Sequence, residues 1–255
     1  MGYFFEQQGN RFIAGHEARS PWDAKAMNGV LVAGLFGHLF EQQVDFSKMN
    51  PGRFTVDIDK PVPHIVDTQV KILREGKRIR VLEARLFLGD EVFARATLSC
   101  VRQADLEAFS SAGTSWPTYP APYEVTEAED TPDYVIAPTA HINHVVNPVE
   151  TPGHGVVWMN FHYDLLKNQP ISSFVQSCMM ADMGHGTARA LDFNHWLYIN
   201  IDINMIYYRQ PVGDWILVDA RMDGDGVGQG MSYSLFADEK GVFGRGLQTL
   251  FIERR

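Results

Sequence analysis

Between Gly29 and Gln43 the chain reads GVLVAGLFGHLFEQQ, apolar on nearly every face of a helix and carrying glycines at 29, 34 and 37. A helix without a polar face cannot rest on a surface, and small residues let neighbouring backbone come close. The stretch therefore predicts a helix wrapped by other structure. The next sixty residues supply the wrapping: RFTVDIDKPV, DTQVKILREG, KRIRVLEARLFLG and EVFARATLSCVRQ are rich in β-branched and aromatic residues, and several alternate. Turn signals at Glu75-Gly76 and Gly89-Asp90 make this an antiparallel meander.

The composition then changes. Residues 103–133, rich in Pro, Ser, Ala and acid with no apolar period, read as a surface linker between an N-terminal unit (1–102) and a C-terminal unit (134–255). Beyond the linker the same order returns: a short strand GVVWMNFHYD, a helix from about Ser172, then HWLYINIDINMIYYR, DWILVDARMDG, GQGMSYSLFAD and GVFGRGLQTLFIER. The chain reads as an internal duplication, with FTVDI (54–58) set against INIDI (199–203), Leu86-Phe87 against Leu235-Phe236, and VFAR (92–95) against VFGR (242–245).

Bulk properties narrow the function. At 255 residues and 45% hydrophobic content the chain can bury one large core or two modest ones. A net charge of -9 without a long basic run disfavours binding to phosphate backbones, so no nucleic-acid partner is expected. Cys100 and Cys178 lie in apolar runs without metal-type spacing, as reduced core thiols would, and a cytoplasmic setting is the default expectation. The longest apolar stretch, Gly29 to Gly37, is far shorter than the roughly 18 to 20 residues that span a bilayer, so no membrane role is expected.

A long helix cradled by an antiparallel sheet, occurring twice in one chain, is the arrangement of the double hotdog fold, of the α+β class. The sequence resembles the TesB-type acyl-CoA thioesterases. GNRFIAGHEARSPWDAKAMNG is similar to that family's opening strand, tryptophan turn and first helix start, and ILREGKRIRVLEARLF to its central hairpin. ADMGHG, INIDINMIYYRQP and GRGLQTLFIERR are similar to the segments that carry its active site.

The resemblance implies hydrolysis of an acyl-CoA to a carboxylic acid and CoA by base-activated water; no cofactor is expected and no metal is predicted. It also implies that an Asp near the middle of the second helix, a hydroxyl residue on the next strand and a Gln on the last strand hold the water. Here those positions are Asp182, Asn200 and Gln248. Gln248 also stands out by itself, since it interrupts an apolar strand and an amide both donates and accepts. Its first-half counterpart is Leu98, and that of Asp182 is Gly37 or His38, so one complete site per chain is expected.

Asn200 replaces the hydroxyl, while its aligned position Thr55 has one; an Asn still donates and accepts. Asp202 and Asp57, each two residues further on, should share a face with Asn200 and Thr55 and are read as structural. His185 is either a surface-facing substitute or a modulator of the base.

Several other features have plainer readings. His141 and His144 in HINHVV lack the glutamate of a zinc-protease helix. GDGVGQG (224–230) lacks phosphate-loop spacing and reads as a hairpin turn, and GMSYS lies in a strand, not at a nucleophile elbow. Lys71, Arg74, Lys77, Arg78 and Arg80 read as a solvated hairpin that could also meet the phosphates of coenzyme A. Two rivals to hydrolysis remain: an acyl-CoA-binding protein without turnover, and a hotdog enoyl-CoA hydratase or dehydratase using Asp182 with His185. Exposed sheet edges predict a homo-oligomer.

Overall fold

The computed structural model describes residues 2–104, 115–125 and 139–255. In the first half β1 (Tyr3–Gln8) and β2 (Arg11–Ala14) precede α1 (Gly29–Glu41), and β3 (Met49–Ile58), β4 (Ile65–Glu75), β5 (Ile79–Leu88) and β6 (Glu91–Arg102) come after it. In the second half β7 (Ala140–Val146), β8 (His154–Phe161) and β9 (Asp164–Leu166) precede two short helices, α2 (Ser173–Ala181) and α3 (Gly184–Ala188). Then come β10 (Trp196–Asn200), β11 (Asp202–Tyr207), β12 (Ile216–Gly224), β13 (Gln229–Asp238) and β14 (Gly241–Arg254). The sequence reading foresees β2, by resemblance, and β3 to β6, β8 and β10 to β14. It misses β1, which has only Tyr3, Phe4 and Phe5 as a strand signal, β7, where two histidines break up the apolar run Ala140–Val146, and the three-residue β9.

All these strands join one sheet, in the order β7-β8-β12-β13-β14-β11-β3-β6-β5-β4-β2-β1-β9, with β10 on β14 beside the end of β11. Read outward from the β11/β3 junction, the two arms are matched strand for strand as far as β7 and β1, with β9 of the second half added in parallel beyond β1, and Asn204 faces Thr55 across the junction. The register revises the repeat. Val92 and Val242 hold equivalent places at the β5/β6 and β13/β14 hairpins, and Leu98 and Gln248 both face the preceding strand, at Leu82 and Ser232. The FTVDI/INIDI alignment, however, is displaced: Pro51 faces Cys100 where Asn200 faces Leu250, so Asn200 corresponds to Pro51, and Thr55 corresponds to Asn204. Leu86 likewise matches Phe236 instead of Leu235. Short identities mislead because both strands alternate, and alternating strands look alike at several registers.

The inner face of the sheet packs on the helices. Phe36, Phe40, Phe54, Leu82, Leu86, Leu98, Phe236 and Phe243 are fully buried there, each such side chain stabilising by about 1.5–3 kcal/mol relative to exposure. Helix α1 begins at Asn28, whose Oδ1 accepts the Val30 N–H at 3.0 Å, and α2 begins at Ser172, whose Oγ accepts from Val175 at 3.1 Å. The two helices run antiparallel, with Gly29 beside Asp182 and Gly37 beside Cys178. Cys100 and Cys178 are free and buried, as expected; burial pushes the Cys100 thiol up to about 12 and raises that of Cys178 further.

Residues 115–125 of the linker lie along the second half: Trp158 Nε1 donates to the Pro120 carbonyl and Asn143 Nδ2 to that of Pro122. Residues 105–114 and 126–133 of the expected linker lie outside the described residues. Among the described residues, no helix is long and apolar enough to cross a membrane.

Candidate active site

Two irregularities in regular elements make the site. The first is a helix break. Asp182 is the C-cap of α2, not a residue in the middle of a helix, and the chain turns at Met183 before α3 begins. The broken turn is held from outside by Gln248 on β14: its Nε2 donates to the Asp182 carbonyl at 2.9 Å, and its Oε1 accepts the His185 N–H at 3.1 Å. These two bonds replace those that an unbroken helix would have made for itself. Counted from the N-caps, the position level with Asp182 in α1 is His38, in a helix that runs on unbroken.

The second irregularity is a bulge at Ile201. Tyr198 and Asn200 point inward from β10, but in β11 the inward residues are Ile203, Met205 and Tyr207. The extra residue switches the alternation, so Asn200 and Asp202 lie on opposite faces, contrary to the plain two-residue period. Asn200 reaches Asp182: its Nδ2 donates to Asp182 Oδ1 at 2.8 Å and to the Asp202 carbonyl at 3.3 Å. Both partners are acceptors, which fixes the amide orientation and turns Asn200 Oδ1 away from them.

Asp182 and Asn200 open on a cavity of about 430 Å³. Its walls come from both halves: Met27, Gly29, Val30, Val32, Ile58 and Val62 from the first, Met183, Tyr198 and Ile199 from the second. Trp22 and Phe193, with ring centroids 4.6 Å apart, stand at its rim under the Arg255 guanidinium. A β-carbon on Gly29 would lie 2.5 Å from Asp182 Oδ1, so only glycine lets the carboxylate rest against the first turn of α1.

Asp182 is buried, and the loss of solvent raises its pKa above the ordinary carboxylate value against the opposing pull of His185 and the Asn200 hydrogen bond. Burial moves His185 the other way, favouring the neutral ring. His185 is buried and lines the cavity, which rules out the surface-facing alternative; its Nδ1 lies 3.4 Å from Gln248 Oε1.

Of the three expected residues, then, Asp182 and Asn200 are brought together in the cavity wall. Gln248 stands behind the turn, its polar atoms engaged with backbone instead of facing the cavity. Sequence reading misses Gly29 and the first-half wall, because nothing local says that a glycine at a helix start will meet a carboxylate more than 150 positions away.

The first-half counterparts of Gln248 and Asn200 are Leu98 and Pro51, both without a side-chain hydrogen bond to give. Other candidates lie elsewhere. None of Lys71, Arg74, Lys77, Arg78 and Arg80 lines the cavity. His141 and His144 belong to β7, and GDGVGQG forms the β12/β13 hairpin with positive φ at Gly226 and Gly228. Among the described residues, no group of three or more His, Cys, Asp or Glu is placed to hold a metal ion.

A largely antiparallel sheet folded about buried helices is the arrangement of a hot dog fold. A protein of unknown function with a hot dog fold from Alicyclobacillus acidocaldarius superposes with a TM-score of 0.76 at 12% identity, over 98% of this chain and 95% of that one. The tesB protein of Mycobacterium avium subs. paratuberculosis superposes at 0.70 and 14% identity, covering 98% and 96%. The acyl-CoA thioesterase II of Mycobacterium marinum does so at 0.68 and 14%, covering 98% and 96%. Residues 18–101 match the acyl-CoA thioesterase N-terminal domain and residues 104–252 the acyl-CoA thioesterase C-terminal domain. The chain belongs to the acyl-CoA thioesterase family. No curated protein matches it in sequence.

Proposed function

We propose that the protein hydrolyses acyl-CoA thioesters, with Asp182 as the general base. The observation that carries this reading is a buried carboxylate, raised in pKa and held by one amide, facing an apolar cavity. A thioester carbonyl is already electrophilic, so a base, an orienting group and an oxyanion donor are enough. Asp182 Oδ2 takes a proton from water while Asn200 Oδ1 accepts that water's other O–H. In the first turn of α1 the N–H groups of Val30, Leu31 and Val32 are engaged, and the Gly29 N–H, at the positive end of the helix, is assigned to the oxyanion. The acyl chain lies along Val30, Val32, Ile58 and Val62.

The chain is read as two tandem hotdog units, 1–102 and 134–255, joined by the linker 103–133, with one site at their seam and the α1/α2 pair as the two central helices. Gln248 positions the turn and does not hold water directly.

A thiol-release assay over a panel of acyl-CoAs tests the reading. Free CoA should appear, and the rate should rise with pH along a single limb displaced above the ordinary carboxylate range, because only the ionised Asp182 is a base. Binding without release would support the non-catalytic rival, and water addition to an enoyl-CoA without release the hydratase.

Gln248→Leu reproduces the first-half residue and strands the Asp182 carbonyl and the His185 N–H. Stability should fall by about 1–3 kcal/mol in chemical denaturation, the cost of unpaired buried polar groups. The turnover rate should fall with it, less steeply than on loss of the base. Assembly is supported by the outer face of the second-half sheet, where Ile206, Tyr208, Met231, Tyr233, Leu247 and Phe251 are exposed. That surface favours a homo-oligomer, and light scattering at micromolar concentration should give a mass above that of one chain.

A further inference from the structure

The bulge at Ile201 has its own lock. Between β10 and β11 the ladder to β14 is interrupted, and the Asp202 side chain fills the gap: Oδ1 accepts the Thr249 N–H at 2.6 Å and Oδ2 accepts Thr249 Oγ1–H at 3.2 Å. On either side, the Ile201 N–H donates to the Thr249 carbonyl at 3.1 Å and the Ile58 N–H to the Ile201 carbonyl at 3.0 Å. The Asp202 carbonyl, meanwhile, accepts from Asn200 Nδ2. One residue thus holds the bulge by its carboxylate and the Asn200 amide by its backbone.

The matching bulge in the first half lies between Pro51 and Arg53, where the residue in the place of Asp202 is Arg53, and no polar side chain points inward from Pro51. The carboxylate lock accompanies the half that carries Asn200. Asp57 faces Asp202 from the adjacent strand β3, yet the Asp202 carboxylate is satisfied on the opposite side, by Thr249 next to Gln248. The lock therefore sits between the two strands that deliver Asn200 and Gln248.

We propose that Asp202 is a positioning residue for the reaction: its clamp on Thr249 fixes the bulge that turns Asn200 inward and holds the Asn200 N–H on Asp182. The inference rests on the assignment of Asp182 as base. Misplacement of a positioning group by about 1 Å can lower turnover up to 10²-fold without loss of fold.

Asp202→Ala removes the lock, and Asp202→Asn keeps one acceptor for the Thr249 N–H. Asp202→Ala should lower kcat by about 10- to 100-fold with little change in KM. It should also move the acid limb to higher pH, because Asp182 loses a donor that favours its ionised form. Asp202→Asn should restore most of both. In an Asn200→Ala background, Asp202→Ala should cause no further loss of kcat, since the effect passes through Asn200.

Asp202→Glu keeps the charge but lengthens the clamp. It should shift the limb in the same direction, and it decides the question if Asp202→Ala does not fold. A carbon-13 titration of the Asp182 carboxyl reads the same shift without turnover. If wild-type protein releases CoA through Asp182 while the Asp202 variants leave both titration and kcat unchanged, the positioning role is wrong and the base assignment stands. Equal losses with and without Asn200 would also overturn it. If Asp182 is dispensable for CoA release, the base assignment itself fails.

Discussion

Asp182→Asn is expected to lower kcat for acyl-CoA hydrolysis by about 10²- to 10⁴-fold, the span for removal of a general base. The fold should survive, because an Asn in that place still presents Oδ1 to Asn200 Nδ2 and leaves the Gln248 clamp on the backbone untouched. The stability effect has a definite sign. The folded-state pKa of Asp182 lies above its unfolded value, so the folded state binds the proton more tightly, and stability falls as pH rises through the interval between the two. Above that interval the full desolvation cost is present in the wild type and absent from the variant. Melting curves at neutral pH should therefore show Asp182→Asn at or above wild type, and the two should draw together as the carboxyl protonates in acid. A variant that melts much earlier would make the carboxylate a structural cap. A folded variant with wild-type turnover would place the base elsewhere.

Gly155→Ala is expected to have the largest effect on stability of any single-methyl change near the site. A β-carbon at Gly155 would overlap the Thr187 carbonyl oxygen, a clash with backbone that no rotamer change relieves. β8 and α3 must then separate. Overpacking of this kind costs about 1–3 kcal/mol, sometimes more, and each kcal/mol lowers Tm by about 2–4 °C in a chain of this size. Because α3 begins just after Met183 and carries His185, its displacement should also loosen the Asp182 turn. Differential scanning calorimetry and the thiol-release rate should therefore fall together. A Tm unchanged within error would show that α3 does not rest on β8 as described.

The helices and the meander are readable because each rests on a local signal. GVLVAGLFG has no polar face and so must be enclosed, and the strands between Gly and Asp turns alternate as half-buried strands do. Asp182 is proposed from the resemblance, and its burial is what makes a carboxylate there costly. That Asn200 and Asp202 face opposite ways is not legible, because a bulge inserts one residue without changing composition and reverses every face beyond it. Gln248 is recognisable as an anomaly in an apolar strand, but its partners are backbone atoms of a distant turn, and no side-chain pattern announces those. The alignment of the halves fails at FTVDI/INIDI because identity of alternating strands does not identify which residue faces which.

The wall formed by Gly29 against Asp182 has a consequence for what can change independently in such a chain. The cavity is a seam: its carboxylate comes from the second half of the chain and the surface that the carboxylate rests on comes from the first. A side chain gained at Gly29 in one half would displace the carboxylate of the other. The two halves thus meet at this junction as unlike partners, each supplying a surface that the other lacks.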